Sequence, residues 1–321
     1  TWFLIAIIAE VLWVSGNLLD KYLIERYFRS DDLNDDGGAG TLILISAVFS
    51  FIVALFAYFY APEDILFWGI LPLFGIFLGF LEATWVLLYL LALERTELSR
   101  AIPILQFIPI FGLLFAFLLL GETIGLDQIF FSGIIILGAL IISYHTRGVE
   151  RGLDFKSFFL MSGAAVIIAL TDVFFKNIAL DSTFWNTAFW LSVGFGLYGV
   201  FLYGFVPRYR SRLNTFIETS NVKVFFANGI NEVIDNVANL TFAFALLFGP
   251  IALVETTNAY QPFLILVTSL IIARLIPHYF DEDVRGNNTD SKDSWNSNYQ
   301  YRKLSPILNL LILFYISKVA E

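Results

Sequence analysis

The sequence predicts an all-α membrane protein with ten transmembrane helices arranged as two inverted five-helix repeats. Three observations lead to this fold class: the composition, the length of the apolar runs, and polar residues that recur at a nearly constant offset. Apolar types make up 58% of the 321 residues and charged types only 15%, with a mean hydropathy of +0.76. Soluble domains carry about 25% charged residues. Too few polar residues remain to cover a soluble surface, so the composition excludes a soluble enzyme and a disordered chain.

The composition also excludes several kinds of site. The chain has no cysteine and two histidines, which removes thiol catalysis and thiolate metal sites. His145 and His278 both lie in predicted loops, so no histidine metal centre and no serine–histidine–acid set is expected. The net charge of −9 is the opposite of the basic stripe that nucleic-acid binding needs. We therefore expect no catalytic residues, no cofactor and no metal.

Continuous apolar runs define the predicted spans. About 20 residues of helix cross the hydrocarbon core, and runs without a ten-residue alternation favour helices over a barrel. The ten spans are 2–26, 41–60, 65–93, 98–120, 127–145, 156–176, 183–206, 222–248, 250–276 and 304–318. Residues 1–150 form the first repeat and 151–321 the second, which has a divergent tenth helix and a long polar loop at 277–303.

The positive charges predict the orientation. All Lys and Arg residues except Lys176 and Lys318 lie at or beside the loops that follow the odd-numbered spans. By the positive-inside rule these loops face the cytoplasm and both termini lie outside. We expect an integral multi-pass protein of the cell (inner) membrane, with the lipid bilayer as its surroundings.

An internal repeat relates the two halves. The stretches 98–111 and 251–264 resemble each other around Pro109 and Pro262, an offset of 153 residues. Offsets of 153 to 155 also align these pairs: Glu82 with Asp235, Tyr89 with Phe242, Asn17 with Asp172, and Lys21 with Lys176. Chance similarity between apolar helices is the alternative, but matched polar residues favour a repeat. Because five spans is an odd number, the halves have opposite orientations, as in secondary transporters with a substrate site near the midplane.

Several motifs resemble those of a known family. They are Asn17 and Lys21, Leu90–Pro103 (LLALERTELSRAIP), Pro109, Leu118–Glu122 (LLLGE), Gly133, and Gly138-Ala139. The sequence is similar in these residues to EamA-like transporters of the drug/metabolite transporter superfamily. That resemblance implies ten spans in two inverted halves around a central cavity. The second half departs from the pattern, since Arg274-Leu-Ile-Pro277 stands where Leu-Gly-Glu is expected.

The first span carries a polar face. Glu10, Trp13 and Asn17 stand at i, i+3 and i+7, which places them on one side of a helix. Carboxylates are rare inside spans and usually face a cavity. We expect a protonatable cavity carboxylate beside an aromatic wall. The alternative is a glutamate that reaches interfacial water or is neutralised by a neighbouring helix.

The eighth span carries the strongest signal. Polar residues recur there at spacings of three and four: Asn228, Asn231, Glu232, Asp235, Asn236 and Asn239. Such a stripe on an apolar helix predicts one polar face, which cannot face lipid. It lines a translocation cavity with a titrating acid, or it packs as an asparagine zipper between helices.

Two further spans complete the predicted cavity. The third span contributes Glu82, Trp85 and Tyr89, and the ninth contributes Glu255 and Asn258. Asp172 and Lys176, one turn apart, are interpreted as an ordinary intrahelical pair. The predicted substrate or proton cavity thus consists of Glu10, Trp13, Asn17, Glu82, Trp85, Tyr89, Asn228, Asn231, Glu232, Asp235, Asn239, Glu255 and Asn258.

These residues predict a secondary transporter of a small polar or cationic organic metabolite. Carboxylates and aromatic rings attract cations, and a desolvated carboxyl group readily takes up a proton, so a proton is the expected coupling ion. An anion or nucleotide-linked substrate is the alternative and would need Lys21, Arg100 and Lys176 to point inward. A third reading is a structural or assembly subunit without transport activity. Homodimers and partner subunits both stay open.

Overall fold

The structure is a computed structural model that is entirely helical in the residues it describes. Those residues are 1–24, 37–61, 69–96, 98–123, 125–126, 129–130, 132–134, 136–138, 155–219, 222–265 and 267–268. The helices are α1 (Trp2–Leu23), α2 (Gly37–Tyr60), α3 (Ile70–Leu93), α4 (Leu98–Leu105), α5 (Ile108–Phe115), α6 (Phe155–Asp181), α7 (Phe184–Phe205), α8 (Pro207–Thr219), α9 (Val222–Leu246) and α10 (Ile251–Glu255). A π-helical turn, Ala116–Leu120, follows α5, and a 3₁₀ turn, Thr256–Tyr260, follows α10. The chain forms two compact units, Thr1–Val267 and Thr268–Glu321, and all these helices belong to the first.

Six helical segments are long and apolar enough to cross a membrane. They are Trp2–Leu23, Gly37–Tyr60, Ile70–Leu93, Ala101–Leu120, Phe155–Asp181 and Phe184–Phe205. They match predicted spans one to four, six and seven. The protein is therefore an integral, multi-pass membrane protein.

The remaining predicted spans are described only in part. The eighth is present as α9, whose 25 residues are enough to span the bilayer although its polar stripe makes it less apolar than the six. The ninth begins with α10. The fifth falls largely between the described fragments of 125–138, and the tenth, at 304–318, lies outside the described residues. The count of ten, the division at residue 150 and the divergent tenth helix stay predictions.

Apolar side chains cover the outside of the bundle. Phe59 is 75% exposed and Leu4 67%, whereas Glu10 is 0% exposed. A soluble fold would have the reverse arrangement, because in water it is favourable to expose the carboxylate and to bury the rings. Exposed aromatic and aliphatic side chains with buried acids are what a lipid environment selects.

Cross-helix contacts fix the direction of α1, α3 and α9. The Tyr89 hydroxyl donates to Asn17 at 2.8 Å, and the Lys21 ammonium donates to the Leu93 carbonyl at 3.2 Å. From the first contact to the second, the residue number rises in both helices, from 17 to 21 in α1 and from 89 to 93 in α3, so the two helices are parallel. In contrast, Asn231 of α9 contacts Asp20, whereas Asn239 contacts Trp13. Since one number rises as the other falls, α9 is antiparallel to α1.

The same reasoning orients α6 and α7. Gly163 of α6 lies against Leu88 of α3, and Asp172 lies near Glu82, so α6 is antiparallel to α3. Helix α7 is parallel to α3, because Gly75 lies against Trp190 and Gly79 against Gly194. Helices α6 and α9 thus run opposite to α1 and α3.

The fourth predicted span is broken into α4 and α5. Pro109 stands at the first turn of α5, where its missing N–H costs no helical hydrogen bond. The break falls at Gln106 and Phe107. There the Gln106 side-chain amide donates to the Asn258 carbonyl at 3.3 Å. Pro103 lies inside α4.

Glycines bring the backbones of α3 and α7 into direct contact. A Cβ at Gly79 would overlap the Leu191 carbonyl oxygen and the Phe195 nitrogen, and one at Gly194 would overlap the Ile76 carbonyl. Small residues allow this close approach, which is the main source of helix association in lipid. The α3–α7 contact is therefore a sealed seam on one side of the bundle.

We expect Gly79→Ala to destabilise the protein by about 1–3 kcal/mol, because the added methyl group collides with rigid backbone rather than with a flexible side chain. Gly204→Ala is the matched control. Gly204 lies in α7 with nothing within 4 Å of its missing Cβ, and Ala favours helix by about 1 kcal/mol. Thermal unfolding in detergent measures both. Equal melting temperatures for the two variants would contradict the sealed seam.

Candidate functional site

A cavity of about 180 Å³ lies among the helices of the first unit. This volume holds several water molecules. Its polar and aromatic lining residues are Trp13, Asn17, Asp20, Ser46, Ser50, Glu82, Trp85, Tyr89, Thr171, Asp172, Phe175, Ser192, Phe195, Glu232, Asp235, Asn236, Asn239, Phe242, Glu255, Asn258 and Gln261. Six of these carry a carboxyl group, and none of the described lining residues is Lys, Arg or His.

The cavity brings together most of the residues in the predicted set. Those on its wall are Trp13, Asn17, Glu82, Trp85, Tyr89, Glu232, Asp235, Asn239, Glu255 and Asn258. The other three, Glu10, Asn228 and Asn231, are buried behind the wall. This grouping is geometric, and the role of these residues in binding substrate or proton stays a prediction.

Glu10 is enclosed by the ninth predicted span. Its Oε2 accepts a hydrogen bond from the Gln261 amide at 2.8 Å, and its Oε1 accepts one from the Thr257 hydroxyl at 3.2 Å. Gln261 also lines the cavity. Glu10 therefore contacts a residue of the cavity wall, Gln261, and is not itself on the wall as the face it shares with Trp13 and Asn17 predicts.

Asp20 is an acid of the site that the sequence reasoning missed. It lines the cavity and accepts a hydrogen bond from the Asn231 amide at 2.8 Å. The same amide nitrogen donates to Asp235 at 3.2 Å. Asp20 continues the series Glu10, Trp13, Asn17 by three more residues, and this spacing is the signal that indicates it.

Gly16 allows α9 to approach α1 at this point. A Cβ at Gly16 would overlap the Asp235 carboxyl group. The small residue one turn before Asp20 therefore lets Asp235 enter the space beside α1. Two acids from different helices thereby share one amide.

Glu232 joins the stripe of α9 to α2. Its Oε1 accepts a hydrogen bond from the Ser46 hydroxyl at 2.6 Å, and its backbone carbonyl accepts one from the Asn236 amide at 2.7 Å. Part of the stripe is thus a polar contact between helices, as the zipper interpretation requires. Three other members of the stripe, Asp235, Asn236 and Asn239, line the cavity.

Asp172 does not pair with Lys176, so the predicted intrahelical pair is wrong. The Asp172 carboxyl group lines the cavity, and Glu255 and Glu82 lie within electrostatic range of it. Side chains one turn apart can meet, but Lys176 binds Glu122 and the Gly249 carbonyl instead. The sequence spacing alone does not reveal these partners.

Aromatic side chains form part of the cavity wall. The Trp13 indole N–H donates to Asn239 Oδ1 at 2.7 Å, and its ring lies 4.8 Å from that of Phe242. The Tyr89 hydroxyl is fixed by Asn17. These hydrogen bonds hold the polar ends of the rings, so their apolar faces remain available to a ligand.

Two lysines hold the ends of helices and stay off the cavity wall. Lys21 donates to the Thr96 carbonyl at 3.0 Å, just beyond α3. Lys176 donates to the Gly249 carbonyl at 2.7 Å, just beyond α9, and forms an ion pair with Glu122 at 2.6 Å. Glu122 follows Gly121, whose φ of 65° ends the π-helical turn. A lysine near a helix C-terminus stabilises the exposed carbonyls there.

The acids are too dispersed to hold a metal ion. Within the described part of the chain, no group of three or more His, Asp or Glu residues has the arrangement that a metal ion needs. Their donors are amides and hydroxyls from α2, α9 and the turn after α10.

A comparison with protein families gives a match over the first part of the chain. Residues 1–144 match the EamA-like transporter family. This family belongs to the drug/metabolite transporter superfamily, and the resemblance noted from the sequence motifs is confirmed. The match indicates a membrane transporter. It is consistent with the expectation that the protein is not an enzyme.

Further comparisons concern the fold. A solved structure described as "Crystal structure of protein" is similar with a TM-score of 0.57 and 15% identity, covering 85% of this chain and 88% of that one. At this identity the likeness shows the fold alone. No curated protein matches the sequence.

We expect Lys176→Met to destabilise the protein by about 1–3 kcal/mol, because it leaves buried acceptors without their charged donor. Lys156→Met is the matched control, since Lys156 lies exposed in the same helix. Chemical denaturation in detergent, followed by tryptophan fluorescence, measures the difference. A Lys176→Met variant as stable as the control would show that the ion pair with Glu122 does not anchor α6.

Proposed function

We propose that this protein is a secondary active transporter of small organic cations, coupled to protons and working by alternating access. The observation that carries the proposal is the charge of the cavity wall. Six carboxyl groups line it, with no Lys, Arg or His among the described lining residues. An amine is the simplest substrate that complements this wall.

The argument rests on the free energy of ionised groups inside a membrane. A carboxylate at bilayer depth is unfavourable unless a cation, a proton or hydrogen-bond donors compensate its charge. The wall supplies amide and hydroxyl donors, but no positive charge. A substrate ammonium would compensate the remaining charge, and the rings of Trp13, Trp85 and Tyr89 add cation–π attraction.

The positions of the lysines disfavour an anionic substrate. Lys21 is bound to the end of α3, and Lys176 to Glu122 and the end of α9. Neither lines the cavity. The side chain of Arg100, the third base that an anion would need, lies outside the described residues. A phosphate or a carboxylate would enter a cavity whose described charges all repel it.

Helix directions and the two lysines support inverted repeats. Helices α1 and α3 of the first half run opposite to α6 and α9, which hold the same places in the second half. Lys21 and Lys176 align under the repeat, and so do their acceptors, Thr96 and Gly249. Inverted halves around a midplane cavity are the plan on which secondary transporters exchange access between the two sides.

Proton coupling follows from the same cavity. A carboxyl group is neutralised by either a proton or a substrate ammonium. Binding of a proton therefore disfavours binding of the substrate ammonium, and a proton gradient can drive the exchange of one for the other. The coupling is a property of the shared wall and needs no cofactor.

The test uses the full-length protein in proteoliposomes with phenethylamine and putrescine as probes. We expect Asp20→Asn combined with Asp235→Asn to weaken probe binding and uptake at least tenfold, because the variant removes two negative charges and keeps the shape of both side chains. Asp181→Asn is the control, since Asp181 is exposed at the end of α6. Uptake of a sugar nucleotide instead of both amines by the unsubstituted protein would refute the proposal.

A further inference from the structure

The cavity is elongated along the helix axes. On α2 its wall runs from Leu42 to Val53, and on α9 it runs from Glu232 to Ala243. Each stretch covers an interval of eleven residues, which is about 16 Å of helix. A linear ligand that lies along the helices can therefore reach wall residues at two different depths.

Two polar parts of the wall lie at different depths. Asp20 lies near the end of α1, whereas Gln261 is bound to Glu10, ten residues earlier in the same helix. Ten residues of α-helix rise by about 15 Å. The Asp235 carboxyl group lies against Gly16, which is six residues after Glu10, or about 9 Å. The Asp20–Asp235 cluster is thus about 9–15 Å from Gln261 along the bundle.

A hydrogen-bond network extends from Glu10 along the turn after α10. The Gln261 amide nitrogen donates to Glu10 at 2.8 Å and to Asn258 Oδ1 at 3.3 Å. The Asn258 amide nitrogen donates to the Glu255 carboxyl group at 2.8 Å and to the Glu255 backbone carbonyl at 3.1 Å. A primary amide nitrogen carries two protons, so these two amides have no further proton to donate.

Two buried acceptors of this network receive no hydrogen bond from the described residues. They are Glu255 Oε1 and Gln261 Oε1, in side chains that are 0% and 5% exposed and line the cavity. The single proton of the Thr257 hydroxyl is shared between Glu10 and the Val254 carbonyl. An unpaired buried acceptor is unfavourable. An ammonium group has three donors and no acceptor, so it complements both atoms.

A further acid adds negative charge at this depth. Glu82 precedes Tyr89 by seven residues, as Glu10 precedes Asn17. Because Tyr89 is bound to Asn17 and the two helices are parallel, Glu82 lies at the depth of Glu10. Glu82 lines the cavity together with Glu255, and none of the described lining residues is Lys, Arg or His. Charge and hydrogen bonding therefore both favour a cation in this part of the cavity.

We propose that Glu255 and Gln261 form a second ammonium-binding subsite of the cavity. The substrate is a linear polyamine whose other end binds Asp20 and Asp235. This inference rests on the proposed function and narrows its organic cation to a chain with a charge at each end. Spermidine, with eight chain atoms between its terminal nitrogens, is long enough to reach both subsites. Putrescine, with four, reaches only one at a time.

The first experiment compares ligands of the unsubstituted full-length protein by isothermal titration calorimetry in detergent. The probes are spermidine, putrescine, and a spermidine acetylated on one terminal nitrogen, which loses that charge and keeps the chain. We expect spermidine to bind at least tenfold more tightly than the other two and to displace phenethylamine, because they share the Asp20–Asp235 cluster. Equal affinity for spermidine and its acetylated form would overturn the second subsite.

The same titrations separate this inference from the proposed function. If phenethylamine binds and spermidine gains nothing from its second terminal charge, the polyamine inference fails and the transporter proposal stands. If no amine binds the unsubstituted protein, both fail. This comparison uses no variant, so it does not depend on how a substitution affects folding.

The second experiment locates the subsite by substitution. Glu255→Gln removes a charge and keeps the shape of the side chain, so we expect it to lower the affinity for spermidine at least tenfold more than the affinity for phenethylamine. Gln261→Met removes the other acceptor and is expected to change the selectivity in the same direction. Glu218→Gln is the control, since Glu218 is exposed near the end of α8. Equal losses for the two ligands in both variants would overturn the proposed position of the subsite.

Discussion

The organisation of this protein depends on how carboxyl groups are satisfied inside a membrane. Hydrocarbon offers neither donors nor counter-ions, so each buried acid needs a partner from another helix or contact with water. Glu10 is satisfied by Thr257 and Gln261, and Glu232 by Ser46. Each such contact also ties two helices together. The acids therefore act as structural contacts and as the wall of the cavity at the same time.

The two halves use related contacts with different chemistry. Lys21 and Lys176 bind the carbonyls just beyond α3 and α9, at positions that align under the repeat. The seam between α3 and α7 is closed by Gly79 against backbone atoms. The position aligned with Gly79 is Glu232, which reaches α2 through the Ser46 hydroxyl. One seam is thus a dry backbone contact, and the position aligned with it under the predicted repeat makes a polar contact.

Most of the polar site follows from helical spacing. The stripe on α9 and the series Glu10, Trp13, Asn17 were assigned to inner faces because period and polarity leave no other place for them in lipid. Asp20 follows from the same period but was missed near the end of its span. The expected Asp172–Lys176 pair proved wrong, because Lys176 pairs with Glu122, 54 positions away, which spacing along a helix cannot reveal. Which donor meets which acid depends on helix rotation and tilt, and local sequence encodes neither.

The sequence by itself determined that the chain is a multi-pass helical membrane protein, where most of its helices run, and which side chains face inward. Run length and period control these features because the bilayer allows only helices of fixed length with satisfied backbones. The tertiary structure decided which acids share an amide donor. For Asp20 and Asp235 this depends on the position of a single Asn231 nitrogen between two helices, and such a position is set only when the helices pack.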